Sequence, residues 1–232
     1  MSYKSILGKW PLSAVVLLAF ISFSAGTARA NLLTAGDFET IDASNYTYIW
    51  PGLTVGNPST YDKWITQPSN WAVSPGGPPG STQYAQHVQY TVRLFQGIDA
   101  TGIASGTTLD FNFDYIYQQG FIGPEEMAWV LGLTNGDVVN VQAPFVTPGD
   151  QLVASPLTIQ PNWTHFATSF TLPTSYDAIA VVFGMGAFGD LSGLRGVDNV
   201  NLDTTPVPEP STMLLLGSGL VGLLGSGRKR LL

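Results

Sequence analysis

The 232-residue chain contains no cysteine. Thiol catalysis, disulfide bracing and cysteine-ligated zinc or iron–sulfur centres are therefore excluded. Histidine occurs only at His87 and His165. Positive charge is nearly absent from the middle of the chain: three of the nine Lys and Arg fall before residue 31 and three after residue 227, leaving Lys63, Arg93 and Arg195. Fifteen of the sixteen acids lie within residues 31–206, so that stretch carries twelve net negative charges. A nucleic-acid partner needs cationic surface and is excluded. Bound divalent cations are compatible with such a balance. No amphipathic helical pattern of ten residues or more occurs, and no internal repeat, so propellers and solenoids are excluded.

Long apolar runs are confined to the two ends. Residues 1–30 read as a secretory signal peptide, with Lys4 and Lys9 before an apolar segment Leu12 to Phe23. Ala28 and Ala30 supply the small residues of the cleavage position. At the other end the chain reads Val207-Pro208-Glu209-Pro210, then an uncharged run from Ser211 to Gly227, then Arg228-Lys229-Arg230. Helical rise gives such a run about 25 Å, a little short of a hydrocarbon core of about 30 Å. The basic triplet belongs on the cytoplasmic side, and the prolines flanking Glu209 stop any preceding structure. Ser218, Gly222 and Ser226 carry small-residue spacing for helix contact, and a span that merely suits its protease has the same composition.

Between the ends the pattern is that of short strands. Leu109, Phe111, Phe113, Tyr115 and Tyr117 alternate with Asp110, Asn112, Asp114, Ile116 and Gln118. Thr164, Phe166, Thr168, Phe170 and Leu172 alternate with Trp163, His165, Ala167, Ser169 and Thr171. Met127, Trp129, Leu131 and Leu133 share a face, as do Ile179, Val181 and Phe183. Asn135-Gly136 predicts a hairpin into Val138–Val141. The expected fold is all-β, an antiparallel β-sandwich of jelly-roll topology, with an N-terminal signal helix and one C-terminal transmembrane helix. The expected boundaries are 1–30, 31–203 for the sandwich, 204–210 for a proline-rich linker and 211–232 for the span and basic end. About 175 residues suffice for a core without disulfides.

The C-terminal constellation of Pro208-Glu209-Pro210, a Gly/Leu-rich span and an Arg-rich end resembles the PEP-CTERM sorting signal. The resemblance implies a Gram-negative exporter of extracellular polysaccharide; the signal peptide and the C-terminal span together lead us to expect a chain handled by the Sec translocon and signal peptidase. The resemblance also implies a stage held in the inner membrane, then processing by an exosortase near Pro208-Glu209-Pro210. A second resemblance rests on Asn31-Leu32-Leu33-Thr34-Ala35-Gly36-Asp37-Phe38-Glu39 and Val197-Asp198-Asn199-Val200-Asn201-Leu202. These look like the first and last strands of galactose-binding-like jelly rolls, of which carbohydrate-binding modules are members. Leu94-Phe95-Gln96-Gly97 and Trp163 fit the same pattern, whereas 45–80, rich in Pro, Gly and aromatics, departs from it.

This second resemblance implies a structural calcium at Glu39 and Asp198. Asp198 shares strand parity with Val200 and Leu202 and is expected on the core side, where a carboxylate must be paired, capped by amides or metal-bound. Tyr48, Trp50 and Trp64 are candidate glycan contacts, since flat rings with a polar handle suit sugar faces. The alternative for Trp64 is a core position, and for Tyr48 and Trp50 the fastening of a long loop. Both histidines fall on the polar parity of strands. A Ser-His-Asp set around His165 and Ser169 is not removed by counting, although no Gly-x-Ser-x-Gly elbow and no His-Glu-x-x-His pair occur. Adjacent Glu125 and Glu126 point oppositely on a strand and cannot flank one glycosidic bond. The expectation is a non-enzymatic surface or matrix protein associated with exopolysaccharide, with a secreted hydrolase or a ligand-free coat protein as alternatives.

Overall fold

The computed structural model describes residues 31–42, 46–49, 52–67, 71–88, 93–118, 126–141, 149–185 and 195–204. The expected signal helix, transmembrane helix and sorting residues lie outside them, and among the described residues no helix is long and apolar enough to cross a membrane.

Two sheets face each other. Five strands, β4 (Trp71–Pro75), β5 (Gln83–His87), β7 (Thr108–Tyr117), β11 (Gln160–Thr171) and β13 (Arg195–Thr204), form one sheet in the order β11-β7-β13-β5-β4. Six strands form the other: β1 (Tyr46–Thr47), β3 (Trp64–Ile65), β6 (Leu94–Asp99), β8 (Glu126–Leu133), β10 (Asp150–Pro156) and β12 (Ala178–Met185), ordered β1-β3-β6-β12-β8-β10. All pairings are antiparallel except the two-residue contact of β1 with β3. This is the expected all-β sandwich. Phe111, Phe113, Trp64, Leu94, Val130, Ile179, Val181 and Phe183 fill the space between the sheets.

The six-stranded sheet is buried on both faces. Ala178, Ala180 and Val182 alternate with Ile179, Val181 and Phe183, and all six are buried. The first three belong to a second apolar cluster with Leu53, Val55, Tyr61, Phe95, Trp129, Leu131 and Val139. Over that cluster lies a two-stranded sheet of β2 (Gly52–Thr54) and β9 (Val138–Asn140). The turn at Asn135-Gly136 forms, with Asp137 N donating to Thr134 O. The expected hairpin does not: β9 pairs with β2, while β8 pairs with β12 and β10. Burial of a second apolar layer outweighs the local ladder.

The opening segment 31–42 contains no strand. It runs beside β13 through Leu32 N donating to Leu202 O, Val200 N to Gly36 O, and Asn31 Nδ2 to Val200 O. Positive φ angles at Ala35 and Phe38 break it into turns. The break drives Phe38 into the core, its ring 5.0 Å from that of Trp64. Trp64 Nε1 donates to the carbonyls of Thr34 and Ala35, and buried Gln96 donates to Thr34 O and accepts from Thr34 N.

Candidate functional site

With the six-stranded sheet covered, the outer face of the five-stranded sheet is the surface that the described residues leave open. Strict alternation puts Asp110, Asn112 and Asp114 of β7 on it, since Leu109, Phe111, Phe113 and Tyr115 occupy the core. Cross-strand register then brings His165, Ala167 and Ser169 of β11 to one side, opposite Asp114, Asn112 and Asp110. Asp198, Asn201 and Asp203 of β13 stand on the other side, opposite the same three residues. Polar side chains tie the rungs together. His165 Nδ1 lies 2.8 Å from Asp114 Oδ1, and Asn199 Nδ2 donates to Asp114 Oδ2 at 2.8 Å. Ser169 Oγ donates to Asp110 Oδ1 at 2.6 Å, and Asn201 Nδ2 to Asp203 Oδ2 at 2.7 Å.

Aromatic rings end the ladder. Between Gln160 and Thr164 the register of β11 against β7 shifts, leaving residues 161–163 as a bulge. Half-buried Trp163 emerges there and meets the ring of Tyr84 edge-on at 5.2 Å between centroids. The face therefore offers an indole beside rows of carboxylates, amides and hydroxyls.

Asp198 does not take the position that strand parity predicts. A bulge between Asp198 and Asn201, with Asn199 at φ +50°, inserts residues into β13. Val197, Val200 and Leu202 all reach the core, while Asp198 pairs with outward-facing Asp114. It is nonetheless fully buried, under the turn 76–81: a Cβ on Gly77 would stand 3.2 Å from Asp198 Oδ2. Burial pushes the Asp198 carboxyl up to about 6, the Ser81 side chain and Asn199 amide oppose the rise, and the charges of Glu39 and Asp114 add to it. Asp198 Oδ1 accepts from Asn199 N at 2.8 Å; Oδ2 has no partner. Glu39 is exposed enough to stay charged and grips the same turn from outside. Thr82 N and Gln83 N donate to Oε1, and the Thr82 hydroxyl to Oε2. These bonds, led by the Thr82 hydroxyl, hold its carboxyl below the usual range. Glu39 and Asp198 thus lie within electrostatic reach across one turn. Among the described residues no three His, Cys, Asp or Glu side chains gather as a metal-ligand group.

Of the expected glycan contacts, Tyr48 is exposed, at 45 %. Trp50 lies outside the described residues, as do Ala28, Ala30, Val207, Pro208, Glu209, Pro210, Arg228, Lys229 and Arg230. Trp64 has no exposed surface and serves the core, which removes it as a contact. His87 is not on a polar face: it is 2 % exposed and stacks on Trp71 at 4.5 Å. Ser169 and His165 bond different carboxylates two rungs apart, so they form no catalytic set. A cavity of about 350 Å3 at one end of the sandwich has Asp99 and Asp177 in its wall. Asp99 Oδ1 accepts from Thr101 N and Oγ1, and Asp177 Oδ2 from Asn135 N, so these acids brace the loops. Trp163 escaped sequence reading as a contact because a strand-opening Trp is ordinarily core; the Pro161 before it was the available signal of a bulge.

Solved structures of this shape include the tandem CBM22-1–CBM22-2 domain of Paenibacillus barcinonensis Xyn10C, with a TM-score of 0.50 and 14 % identity. That match covers 79 % of this chain and 52 % of that one. A CBM4 structure matches with a TM-score of 0.45 and 17 % identity, over 75 % of this chain and 99 % of that one. The enzymatically active domain of bacteriophage CBA120 tailspike protein 4 gives 0.46 and 14 %, over 75 % of this chain. This chain spans only about a fifth of the tailspike, 21 %, and about half of the tandem domain. At 14 % identity the likeness to the tandem domain is one of fold. No curated protein matches the sequence. Residues 206–230 match the PEP-CTERM protein-sorting motif, so the chain is a β-sandwich shaped like a carbohydrate-binding module that carries this sorting signal at its C-terminal end.

Proposed function

We propose that this is an exported, exosortase-sorted protein of the cell surface or matrix, and that its open sheet face binds a glycan of the extracellular polysaccharide without cleaving it. The observation that carries the reading is the asymmetry of the two sheets: one is closed by an apolar lid, and the other presents Trp163 beside a ladder of Asp, Asn, His and Ser. Sugar faces stack on indole, and their hydroxyls donate to carboxylates and accept from amides. Tyr48, and Trp50 two residues further along the sequence, are further contacts to test. Export removes residues 1–30 by cleavage after Ala30. The tail is then cut near Val207-Pro208-Glu209-Pro210, with Arg228, Lys229 and Arg230 left on the cytoplasmic side. Affinity electrophoresis of the exported protein in gels containing the producing organism's polymer tests the glycan reading. Retardation that Trp163→Ala reduces supports it; equal mobility with and without polymer for both proteins sinks it.

Calcium at Glu39 and Asp198 belongs to the same reading. The donor chemistry fits, because a buried carboxylate oxygen without a partner suits a hard cation. Asp198 would supply Oδ2 and Glu39 its carboxylate, with the remaining ligands from backbone carbonyls and water. A melting temperature unmoved by calcium and by chelator would remove that site.

A hydrolase is the competing reading, and the observation in its favour is the set of acids on the open face. Product analysis of the native polymer after prolonged incubation separates the two: release of new reducing ends would establish cleavage.

A further inference from the structure

Each of the two large sheets ends in two edge strands, and among the described residues three of the four are shielded. β1 has two residues, and β4 has five and ends in Pro75. β10 is interrupted by a register shift between Gln151 and Val153 and ends in Pro156. Shortness, proline and bulges are the devices that keep a sheet edge from pairing with another chain. β11 is the exception. It runs for twelve residues, and past its bulge the register against β7 is unbroken from Thr164 to Thr171. That stretch contains no proline and no Asp, Glu, Lys or Arg.

The direction of its backbone groups follows from the residue just beyond it. Leu172 N donates to Thr107 O, on the β7 side. Backbone direction alternates along a strand, so the even-numbered residues bond β7 while His165, Ala167, Ser169 and Thr171 turn their amides and carbonyls to the free edge. Among the described residues no strand pairs with that edge. Its inner side is apolar: Phe166 packs on Phe113 at 4.9 Å between ring centroids, yet Phe166 and Phe170 are both only partly buried.

We propose that β11 pairs antiparallel with β11 of a second copy of this chain, about a two-fold axis, and so joins two five-stranded sheets into one. An antiparallel strand is its own complement under such an axis, since every outward amide of one copy meets an outward carbonyl of the other. With the axis at Thr168, Phe166 of each copy lies opposite Phe170 of the other, an aromatic pair that covers both rings. Charge favours a second copy at this place. Residues 31–206 carry twelve net negative charges, so two copies repel one another over most of their surface and meet at a strand that brings none. The outer faces of the two sheets then run on into each other as one surface. The pairing does not rest on glycan binding.

Because the chain has no cysteine, a single introduced thiol reports without background. The axis sets the two Thr168 residues opposite each other as a non-hydrogen-bonded pair, with about 4.5 Å between Cα atoms, within disulfide reach. The full chain carrying Thr168→Cys, exported by the producing cells and treated with a thiol oxidant, should run mostly as a disulfide-linked homodimer. Ser74→Cys, equally half-buried but on β4 at the opposite edge, should stay monomeric. In the Thr168→Cys background, Ala167→Pro removes an outward amide and no bond to β7, and should cut the dimer at least about tenfold. Should that variant fail to fold, Ala167→Lys carries the test, since its side chain is exposed and lysine is a natural guard of sheet edges. Thr168→Cys that remains monomeric would overturn the proposal, as an edge occupied by another part of the same chain requires. So would a disulfide to a different protein, equal dimer from Ser74→Cys, or a dimer yield that the Ala167 variants leave unchanged.

Discussion

The ring of Tyr84 rests on Gly196. A Cβ at residue 196 would stand 2.5 Å from Tyr84 Cδ2 and 2.6 Å from Cε2. The missing side chain lets Tyr84 settle against the sheet, 6 % exposed, with its edge toward Trp163. Gly196→Ala should therefore cost about 1–3 kcal/mol through overpacking. Thermal melting checks the cost. Burial raises the Tyr84 phenol above its ordinary value. Displacing the ring should bring one tyrosine back toward that value in a spectrophotometric titration. Trp163 emission should shift in the same variant.

Asp198 gives a pH dependence whose sign is fixed. Its carboxyl titrates at about 6 in the folded protein against an ordinary 3.8, so the folded form holds the proton more tightly than the unfolded form. Its contribution is favourable below about pH 4 and is lost as pH rises toward 6. With solvent screening allowed for, the loss is about 1–2 kcal/mol. In chelator, melting temperature should fall across that window, and Asp198→Asn should flatten the profile. In saturating calcium the order reverses at neutral pH if the ion sits at Oδ2: wild type becomes the more stable and Asp198→Asn loses the calcium response.

The lid over the six-stranded sheet is keyed by one side chain. Leu53 on β2 fills the space above Gly97 on β6, where a Cβ would stand 2.6 Å from both Leu53 methyl carbons. Leu53 is fully buried. Leu53→Ala should cost about 2–5 kcal/mol, the range for a truncated core leucine. The same change should loosen the cover on Trp129, which denaturant unfolding with tryptophan emission would report as a red-shifted native baseline. A variant matching wild type in both would show that β2 and β9 do not close that sheet.

Alternation of β7 and β11 was legible because each has one wet face; Leu109 to Tyr117 could be assigned to the core on period alone. The six-stranded sheet was half-legible. Ile179, Val181 and Phe183 gave one face, but Ala178, Ala180 and Val182 are small and apolar, and nothing local says that a distant segment covers them. Asn135-Gly136 specified a turn and not the partner of the strand after it, since β9 pairs with a segment more than eighty residues away in sequence. Asp198 was placed on the wrong face because period-two counting runs through Asn199, where a positive φ resets it. Trp64 lies in the Pro-, Gly- and aromatic-rich stretch 45–80, where composition alone does not separate a core ring from a glycan contact; the folded-back 31–38 segment and Phe183 together make it core. Trp163 required the bulge to be seen.

Ser169 and His165 decide how the hydrolase reading fares. They sit four residues apart on one strand, about 13 Å at strand rise, and each is bonded to a different aspartate. A serine nucleophile needs its base within about 3 Å, so neither residue can activate the other without unravelling β11. Ser169→Ala and His165→Ala should therefore leave the reducing-end yield from native polymer at the wild-type value, whatever that value is. The same variants should alter binding modestly, since each removes one polar group from the ladder. Trp163→Ala should weaken binding about tenfold, the loss of one stacking contact of roughly 1.4 kcal/mol. If Ser169→Ala abolished polymer cleavage while retardation in polymer gels stayed at the wild-type level, the open face would be a catalytic surface and the binding assignment would fall.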